Sequence, residues 1–470
     1  MRSFSIQSRN GLGNSLRELS NPICIIFKYA IPAIIEFALQ ALVQYIDLWM
    51  VGSLGVKATA VVGLASQVQF VIKFPAANMA TGVLSYAAKK YGERDGAAVK
   101  RASTQALYYS MIIGLVFSVL AVLLAFTVPV FMGFENKLRV EFRNYFIIAY
   151  SSLLFFVASS ILGSLMRSVG YVKEVMIVNG LVDILDIIFN YFFIFPSREI
   201  VLIGKKIKVF GFGLGVDGAA VGTALSIAVG GVLILIMVKK KDKLGYEKAK
   251  PDPKLLGEFF KVGIPSALNG FITGFGRVIF TTYVSALGTL ELAAHSIAYT
   301  TEAFFYIPAV GMERAVAPLV GQTLGEKDDK KLNSIIKLST ILAMGSMLLL
   351  GIILFVYSRQ ITATFSSDKE IVIIAAKCLR IVAFSEPIFA LSLVMQGVFE
   401  GAGRTKEPFY IGTFTMWFSR VALCGIGVKL FGAGLDFVWY CMVLDNFLRA
   451  MLLTLGFVRI RNKSSDKNKE

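Results

Sequence analysis

Two halves of this chain repeat one another at a fixed distance, which limits the folds that it can adopt. Gly263-Ile264-Pro265 repeats Ala30-Ile31-Pro32, so that Pro32 and Pro265 lie 233 residues apart. The same offset relates further pairs: Gly55 and Gly288, Pro75 and Pro308, Gly92 and Gly325, Glu93 and Glu326, Gly170 and Gly403. Each copy is long and mostly apolar. Internal duplication of such a domain is typical of secondary transporters.

The composition of the chain is that of a membrane protein. Hydrophobic residues make up 56% of it and charged residues only 17%, whereas soluble domains average about 25% charged residues. Apolar runs long enough to cross about 30 Å of hydrocarbon predict twelve spans. They lie near 26–50, 59–87, 105–131, 143–166, 174–195, 212–238, 257–287, 292–320, 335–357, 373–400, 407–430 and 434–458. We expect no cleavable signal peptide, because the first apolar run is too long for one.

The twelve spans divide evenly between the two copies. Six spans per copy is an even number, so both copies insert in the same orientation, as in transporters built from parallel repeats. The predicted organisation is an N-terminal lobe 1–238, a basic cytoplasmic linker 239–256, a C-terminal lobe 257–458 and a cytoplasmic tail 459–470. We therefore expect an all-α membrane protein with two six-helix lobes.

Lysine and arginine residues in the short loops predict the orientation of the chain in the membrane. If the N-terminus is cytoplasmic, the inside loops are strongly basic, as at Lys239-Lys240-Lys241, and the outside loops carry few basic residues apart from 196–211. Both termini are thus expected in the cytoplasm of a prokaryote, with the chain in the plasma membrane. The net charge of +17 predicts contact with anionic lipid headgroups rather than with nucleic acid.

Motifs of enzymes and metal sites are missing from the sequence. The four cysteines have neither metal-binding nor redox spacing, and a single histidine, His295, cannot form a metal site. No Walker A motif, HExxH motif or nucleophile elbow occurs. We expect neither an enzyme nor a bound cofactor beyond a coupling ion.

Polar residues inside the predicted spans are the candidates for function. They form stripes with helical spacing: Glu36, Gln40, Gln44 and Asp47 in span 1, Asn179, Asp183, Asp186 and Asn190 in span 5, and Ala219 and Thr223 in span 6. Carboxylates at membrane depth are costly, so such stripes usually face a cavity. Alternatively they only join helices through hydrogen bonds, which is most plausible for Glu36, Gln40, Gln44, Asn179 and Asp183.

The repeat favours a function confined to the first half. At offset 233, Asp47 becomes Phe280, Asp186 becomes Ser419 and Asn190 becomes Leu423; at offset 219, Thr223 becomes Met442. Groups needed only for packing should often be kept in the related half. A hard cation such as Na⁺ needs several oxygen ligands, whereas a proton needs a single carboxylate. Asp47 with Asp186 would serve either ion.

The sequence of this chain resembles the multidrug and toxic compound extrusion (MATE) family. The resemblance is carried by Pro32, the stretch from Asp47 to Gly55, the run from Gly215 to Thr223 and, in the second half, Pro308 to Gly311 and Val320 to Gly325. It implies a cation site made of Asp47, Asp186, Asn190, Thr223 and the carbonyl of Ala219. Span 5 departs from the family pattern, because Asp186 precedes Asn190 where the family has Asn before Asp.

The resemblance also implies an antiporter that exports small cationic, amphipathic compounds in exchange for Na⁺ or H⁺. Besides the polar stripes, Arg277 and Glu302 are candidate cavity residues; Glu302 would either pair with Arg277 or contact a cationic substrate. We expect a monomer in contact with membrane lipids. The alternative function is a flippase or exporter of a lipid-linked or other amphipathic metabolite.

Overall fold

The computed structural model describes residues 22–131, 136–202 and 205–467. Within these residues the chain is almost entirely helical, as the apolar runs predict. The polar stretch 1–21, which the sequence assigns to the cytoplasm, lies outside the described residues, as do the last three residues of the predicted tail.

The helices follow one another with short connections. In the first half they are α1 (Pro22–Gly52), α2 (Val56–Asn78), α3 (Ala80–Gly92), α4 (Gly96–Phe131), α5 (Asn136–Tyr150), α6 (Leu153–Ser168), α7 (Val172–Ile194) and α8 (Gly215–Lys240). In the second half they are α9 (Pro253–Ser285), α10 (Thr289–Phe305), α11 (Ile307–Glu326), α12 (Asp329–Ala363), α13 (Lys369–Ala383), α14 (Glu386–Gly401), α15 (Lys406–Thr415), a π-helix (Met416–Leu423), α16 (Cys424–Phe431) and α17 (Leu435–Lys467).

Most of these helices are suited to a membrane. Eight helical segments among the described residues are long and apolar enough to cross one, or ten if each of two bent pairs counts as one span. The two other predicted spans are also helical, in α2 and α9, but they are less apolar and carry Lys73 and Arg277. Large apolar side chains such as Leu115 and Phe126 stand exposed on α4, as lipid-facing residues do.

Both bent pairs have a physical cause in the sequence. α10 and α11 meet at 46°, and α13 and α14 at 56°. Pro308 lies in the first turn of α11 and Pro387 in the first turn of α14. The missing N–H of a proline costs nothing in the first turn of a helix. A proline cannot continue the preceding helix, however, so each pair bends at this point.

A β-hairpin occupies the insertion that distinguishes the first half from the second. Strands β1 (Pro196–Leu202) and β2 (Lys205–Phe212) pair antiparallel, with a register shift between Pro196 and Arg198. The repeat offset falls from 233 residues before this segment to 219 after it, which indicates about 14 extra loop residues within 196–211. The hairpin is therefore an addition to the predicted all-helical plan.

Internal contacts divide the protein into two compact units. Among the described residues, the N unit consists of residues within 36–87 and 95–274, and the C unit of residues within 22–35, 88–94 and 275–467. The long helices α1 and α9 therefore contribute to both units. The division along the chain into lobes 1–238 and 257–458 remains a prediction.

The predicted linker 239–256 includes the end of α8, the start of α9 and a short segment bound to α4. Gln105 donates from Nε2 to the carbonyl of Lys250 (2.9 Å) and accepts the N–H of Asp252 (2.8 Å). Tyr108 donates to the carbonyl of Ala249 (3.1 Å). Asp252 pairs with Arg101 and accepts the N–H of Lys254 at the start of α9. These bonds hold the segment against α4 within the N unit.

Candidate functional site

α1 and α7 bring two predicted site residues into direct contact. Asn190 donates from Nδ2 to Oδ1 of Asp47 over 2.9 Å. Asn190 is buried, whereas Asp47 is half-buried. The amide thus orients the carboxyl of Asp47 toward α7.

Asp186 joins the same group one helical turn before Asn190. Its carboxyl accepts a hydrogen bond at Oδ1 from the Ser226 hydroxyl over 3.1 Å and interacts with the side chains of Asp47 and Thr223. We call these five residues, Asp47, Asp186, Asn190, Thr223 and Ser226, the acidic cluster.

Close packing of α7 on α8 is possible because α8 begins with a glycine-rich run. A Cβ on Gly218 would lie 2.3 Å from the carbonyl oxygen of Phe193, and a Cβ on Gly222 would lie 2.2 Å from Oδ1 of Asn190. Real Cβ atoms do not approach so closely, so only glycine fits at either place. Ala219 is buried between these two glycines, one turn before Thr223. The run from Gly215 to Thr223 therefore brings Thr223 and Ser226 to Asp186.

Glu36 and Asn179 belong to a different group in the N unit. Arg167 donates from Nη2 to both carboxylate oxygens of Glu36, over 2.8 and 3.1 Å, and Asn179 donates to Oε1 over 2.8 Å. Glu36 is 2% exposed and Arg167 is 7% exposed. This buried ion pair joins α1, α6 and α7, which is the structural role that the sequence left open for Glu36 and Asn179.

The other residues of the polar stripes belong neither to the acidic cluster nor to the ion pair of Glu36 and Arg167. Gln40 and Gln44 are exposed on α1. Asp183 interacts electrostatically with Asp186 and Glu36, but its buried Oδ2 atom has no hydrogen-bond partner. Asp183 thus lies between the ion pair and the acidic cluster.

The donor set of the acidic cluster suits a small monovalent cation. Among the described residues, no three Asp, Glu, His or Cys side chains are grouped to hold a metal ion by themselves, so neutral oxygens would have to complete the coordination. Oδ1 of Asn190 is such an oxygen: it is buried and has no partner. Leaving a buried acceptor unpaired costs about 1–3 kcal/mol, and a bound cation would remove that cost.

In the C unit the equivalent positions form part of an apolar core. Phe280 and Met442, which replace Asp47 and Thr223, are buried with Trp439, and Leu423 packs against them. Ser419, the counterpart of Asp186, is fully buried and its hydroxyl has no partner. The ring of His295 packs against Phe280 and Trp439. No comparable oxygen cluster can form from these side chains.

Arg277 and Glu302 lie in the C unit, apart from the acidic cluster. Glu302 is buried and interacts electrostatically with Arg420 and Arg277. Within the described residues it forms no direct ion pair with either, and its Oε2 atom has no partner. Arg420 extends from the π-helix and donates to Asp445 over 2.7 Å, and such π-turns are often functional.

Several residues that contact or interact with the two polar groups were not identified as site residues from the sequence. Ser226 lies three residues after Thr223, on the same helix face, so its spacing was a usable signal. Tyr145 interacts electrostatically with Asp47 and Asp186, which no local pattern indicates. Lys73 interacts with Asp186 in the same way, and a lysine within an apolar span was itself a signal. Arg167, which pairs with Glu36, was also not identified from the sequence.

Comparison with known proteins agrees with the duplicated architecture. The MatE family model matches twice, over residues 32–192 and 265–426, and the two matches begin at Pro32 and Pro265. A probable multidrug resistance protein NorM of Thermotoga maritima is 27% identical over 436 residues, which cover 92% of this chain and 91% of that protein. The multidrug export protein MepA of Staphylococcus aureus is 23% identical over 329 residues, 69% of either protein.

A solved structure gives the same result for the fold. The crystal structure of MATE in complex with MaL6 superimposes with a TM-score of 0.85 and 22% identity, covering 95% of this chain and 98% of that chain. The predicted all-α MATE fold is thereby confirmed. The chain belongs to the MatE family and is a multi-pass membrane transporter of the MATE type.

Proposed function

We propose that this transporter is a cation-coupled antiporter that exports cationic, amphipathic drugs or toxic compounds across the plasma membrane. Two relatives are described as a multidrug resistance protein and a multidrug export protein, which supports this substrate class. The proposal includes cytoplasmic termini, because the predicted inside loops are the basic ones, and a monomeric protein in contact with lipids.

The acidic cluster is the observation that carries the proposal. Two carboxyls, one amide and two hydroxyls converge within helices of an apolar protein, where such groups are costly unless they bind an ion. Asp47, Asp186, Asn190 and Thr223 would bind the coupling ion, with the Ala219 carbonyl as a further oxygen donor. The unpaired Oδ1 atom of Asn190 favours Na⁺ over H⁺, because a proton held between the two carboxyls leaves that acceptor unpaired.

Coupling follows if the ion binds an outward-open and an inward-open state with different affinities. An ion can shift the balance between two states only by its difference in affinity for them. The substrate and the ion then affect one another's binding to the same extent. Glu302, as a buried carboxyl without a direct ion-pair partner, would contact the cationic substrate in the C unit.

Efflux from proteoliposomes tests the proposal. The purified protein is reconstituted with a fluorescent organic cation, and its export is followed first under an inward Na⁺ gradient and then under a pH gradient without Na⁺. We expect the Na⁺ gradient to drive export and the pH gradient alone to give only the leak of protein-free vesicles. Equal export under the pH gradient would identify H⁺ as the coupling ion, and no export under either would contradict antiport of this substrate class.

A further inference from the structure

Lys73 is a basic residue inside a predicted membrane span of the N unit, and it interacts electrostatically with Asp186 of the acidic cluster. It lies on α2 and is half-buried. Placing a lysine at the centre of a membrane helix costs about 2.5–3.5 kcal/mol, so its ammonium group needs a compensating interaction. Two aromatic rings supply one: Nζ lies 5.5 Å from the ring centroid of Tyr150 and 5.7 Å from that of Phe156, within the range of cation–π attraction.

The opposite charge for Lys73 comes from Asp186, but not through a direct pair. The ammonium and that carboxyl interact electrostatically, while among the described ion pairs Lys73 has none. Elsewhere in the N unit, the buried carboxylate Glu36 does pair directly with Arg167 at 2.8 Å. The two rings thus hold the ammonium of Lys73 where it interacts with Asp186 without a direct ion pair, and its flexible four-carbon chain can adopt other positions.

The internal repeat links Lys73 to the acidic residues. Its counterpart in the second half, at the same offset of 233 residues, is Tyr306. Lys73 is thus replaced by a neutral residue in the same half in which Asp47, Asp186 and Asn190 are replaced. Arg167 is paired to Glu36, whereas Lys73 is a basic residue that interacts with Asp186 of the acidic cluster.

We propose that Lys73 is a tethered cation that competes with Na⁺ for the carboxyls of the acidic cluster and so sets the affinity of the ion site. This inference rests on the ion site proposed above. Two monovalent cations close to the same carboxyls repel one another, so each lowers the affinity for the other. The tethered ammonium would satisfy the carboxyls when Na⁺ has left, and Na⁺ binding would move it back toward Tyr150 and Phe156.

Na⁺ binding to the purified protein tests this inference. Lys73→Met keeps an unbranched apolar chain between the rings and removes only the charge, and Lys73→Gln is a second neutral variant in case the first does not fold. We expect either to bind Na⁺ at least about tenfold more tightly than the wild type, equivalent to about 1.4 kcal/mol. Lys73→Arg should stay close to the wild-type value. Lys28→Met, which removes an exposed lysine on α1, is the matched control and should change nothing.

A free amine should replace the missing side chain. Methylammonium added to Lys73→Met is expected to weaken Na⁺ binding back toward the wild-type value, while having little effect on the wild type. A purely structural role of Lys73 would not produce this rescue.

Parallel measurements on Asp47→Asn separate the inference from the proposed ion site. If Asp47→Asn loses Na⁺ binding while Lys73→Met binds Na⁺ as the wild type does, or more weakly, the ion site stands and the role of Lys73 is wrong. If Asp47→Asn binds Na⁺ normally, both ideas are wrong. If the wild type shows no measurable Na⁺ binding and Lys73→Met does bind Na⁺, the proposed competition is supported. If neither protein binds Na⁺, the proposed competition is contradicted.

Discussion

Gly222 and Asn190 approach so closely that a methyl group on Gly222 would lie 2.2 Å from the Oδ1 atom of Asn190. This oxygen is the buried acceptor without a partner in the acidic cluster. The contact between α7 and α8 and the geometry of the ion site therefore depend on the same glycine.

Gly222→Ala should consequently weaken Na⁺ binding at the proposed site without destabilising α8. Alanine is a better helix former than glycine by about 1 kcal/mol, so α8 by itself becomes more stable. The added methyl group, however, must displace the side chain of Asn190. We expect Na⁺ binding to weaken by at least about tenfold, or 1.4 kcal/mol. Gly274→Ala, where a Cβ meets no atom within 4 Å, is the control and should bind Na⁺ normally. Unchanged binding in Gly222→Ala would contradict a role for Asn190.

Asp47→Asn should abolish Na⁺-driven efflux while the protein still folds and inserts, because the amide cannot supply the negative charge that binds the ion. Efflux from proteoliposomes measures the loss, and size-exclusion chromatography checks the fold. Adding Phe280→Asp should not restore transport, since Phe280 lies in the apolar core with Met442. A transporting double variant would mean that the two halves are functionally equivalent.

The order of Asp186 and Asn190 provides a test of the coupling ion. The double variant Asp186→Asn with Asn190→Asp keeps the charge but moves the carboxylate by about 6 Å along α7. It replaces the amide that donates to Asp47 by a second carboxyl, and it takes the carboxyl away from Ser226. We expect Na⁺ affinity to change by at least about tenfold. Retention of wild-type Na⁺ affinity would argue against direct coordination by these two residues.

Glu36→Gln should lower stability, whereas the neighbouring stripe residue Gln40 should tolerate change. Removing one partner of a buried ion pair leaves Arg167 uncompensated, which costs about 3–5 kcal/mol. Thermal unfolding in detergent should show a clear fall in Tm. Gln40→Ala, at an exposed position, is the control and should stay within about 0.5 kcal/mol. Adding Arg167→Met to Glu36→Gln should recover part of the loss, and no recovery would contradict the pairing.

We expect Asp252, which lies outside the predicted membrane spans, to make the stability of the protein depend on pH. Desolvation alone would raise the pKa of this carboxyl, but the N–H groups of Leu255 and Lys254 and the guanidinium of Arg101 outweigh it and lower the pKa. A lowered pKa in the folded state means that Asp252 contributes stability above its unfolded pKa of about 3.9 and loses the contribution as the pH falls through the folded value. The Tm difference between the wild type and Asp252→Asn should therefore be present at neutral pH and vanish in strong acid. A difference that persists in strong acid would exclude this linkage.

Local properties of the sequence determined the membrane class, the duplication and the half that holds the acidic residues. Apolar length and helical spacing depend only on residues near one another in the chain, and the fixed offset showed that Asp47 and Asp186 have neutral counterparts at Phe280 and Ser419. The all-α plan followed from these patterns, and the MATE fold that the resemblance implied is confirmed. The β-hairpin did not follow from them, because the sequence showed only that residues were inserted there.

The tertiary structure decided which polar residues meet. A stripe with perfect helical spacing contains Glu36, which is buried against Arg167, as well as Gln40, which is exposed. Ser226 on α8 contributes to the acidic cluster, and Lys73 on α2 interacts with Asp186. Such contacts depend on the rotation of each helix about its axis and on the close approach that Gly222 permits. Both are set by packing between segments far apart in the chain, and spacing within a single helix carries no information about them.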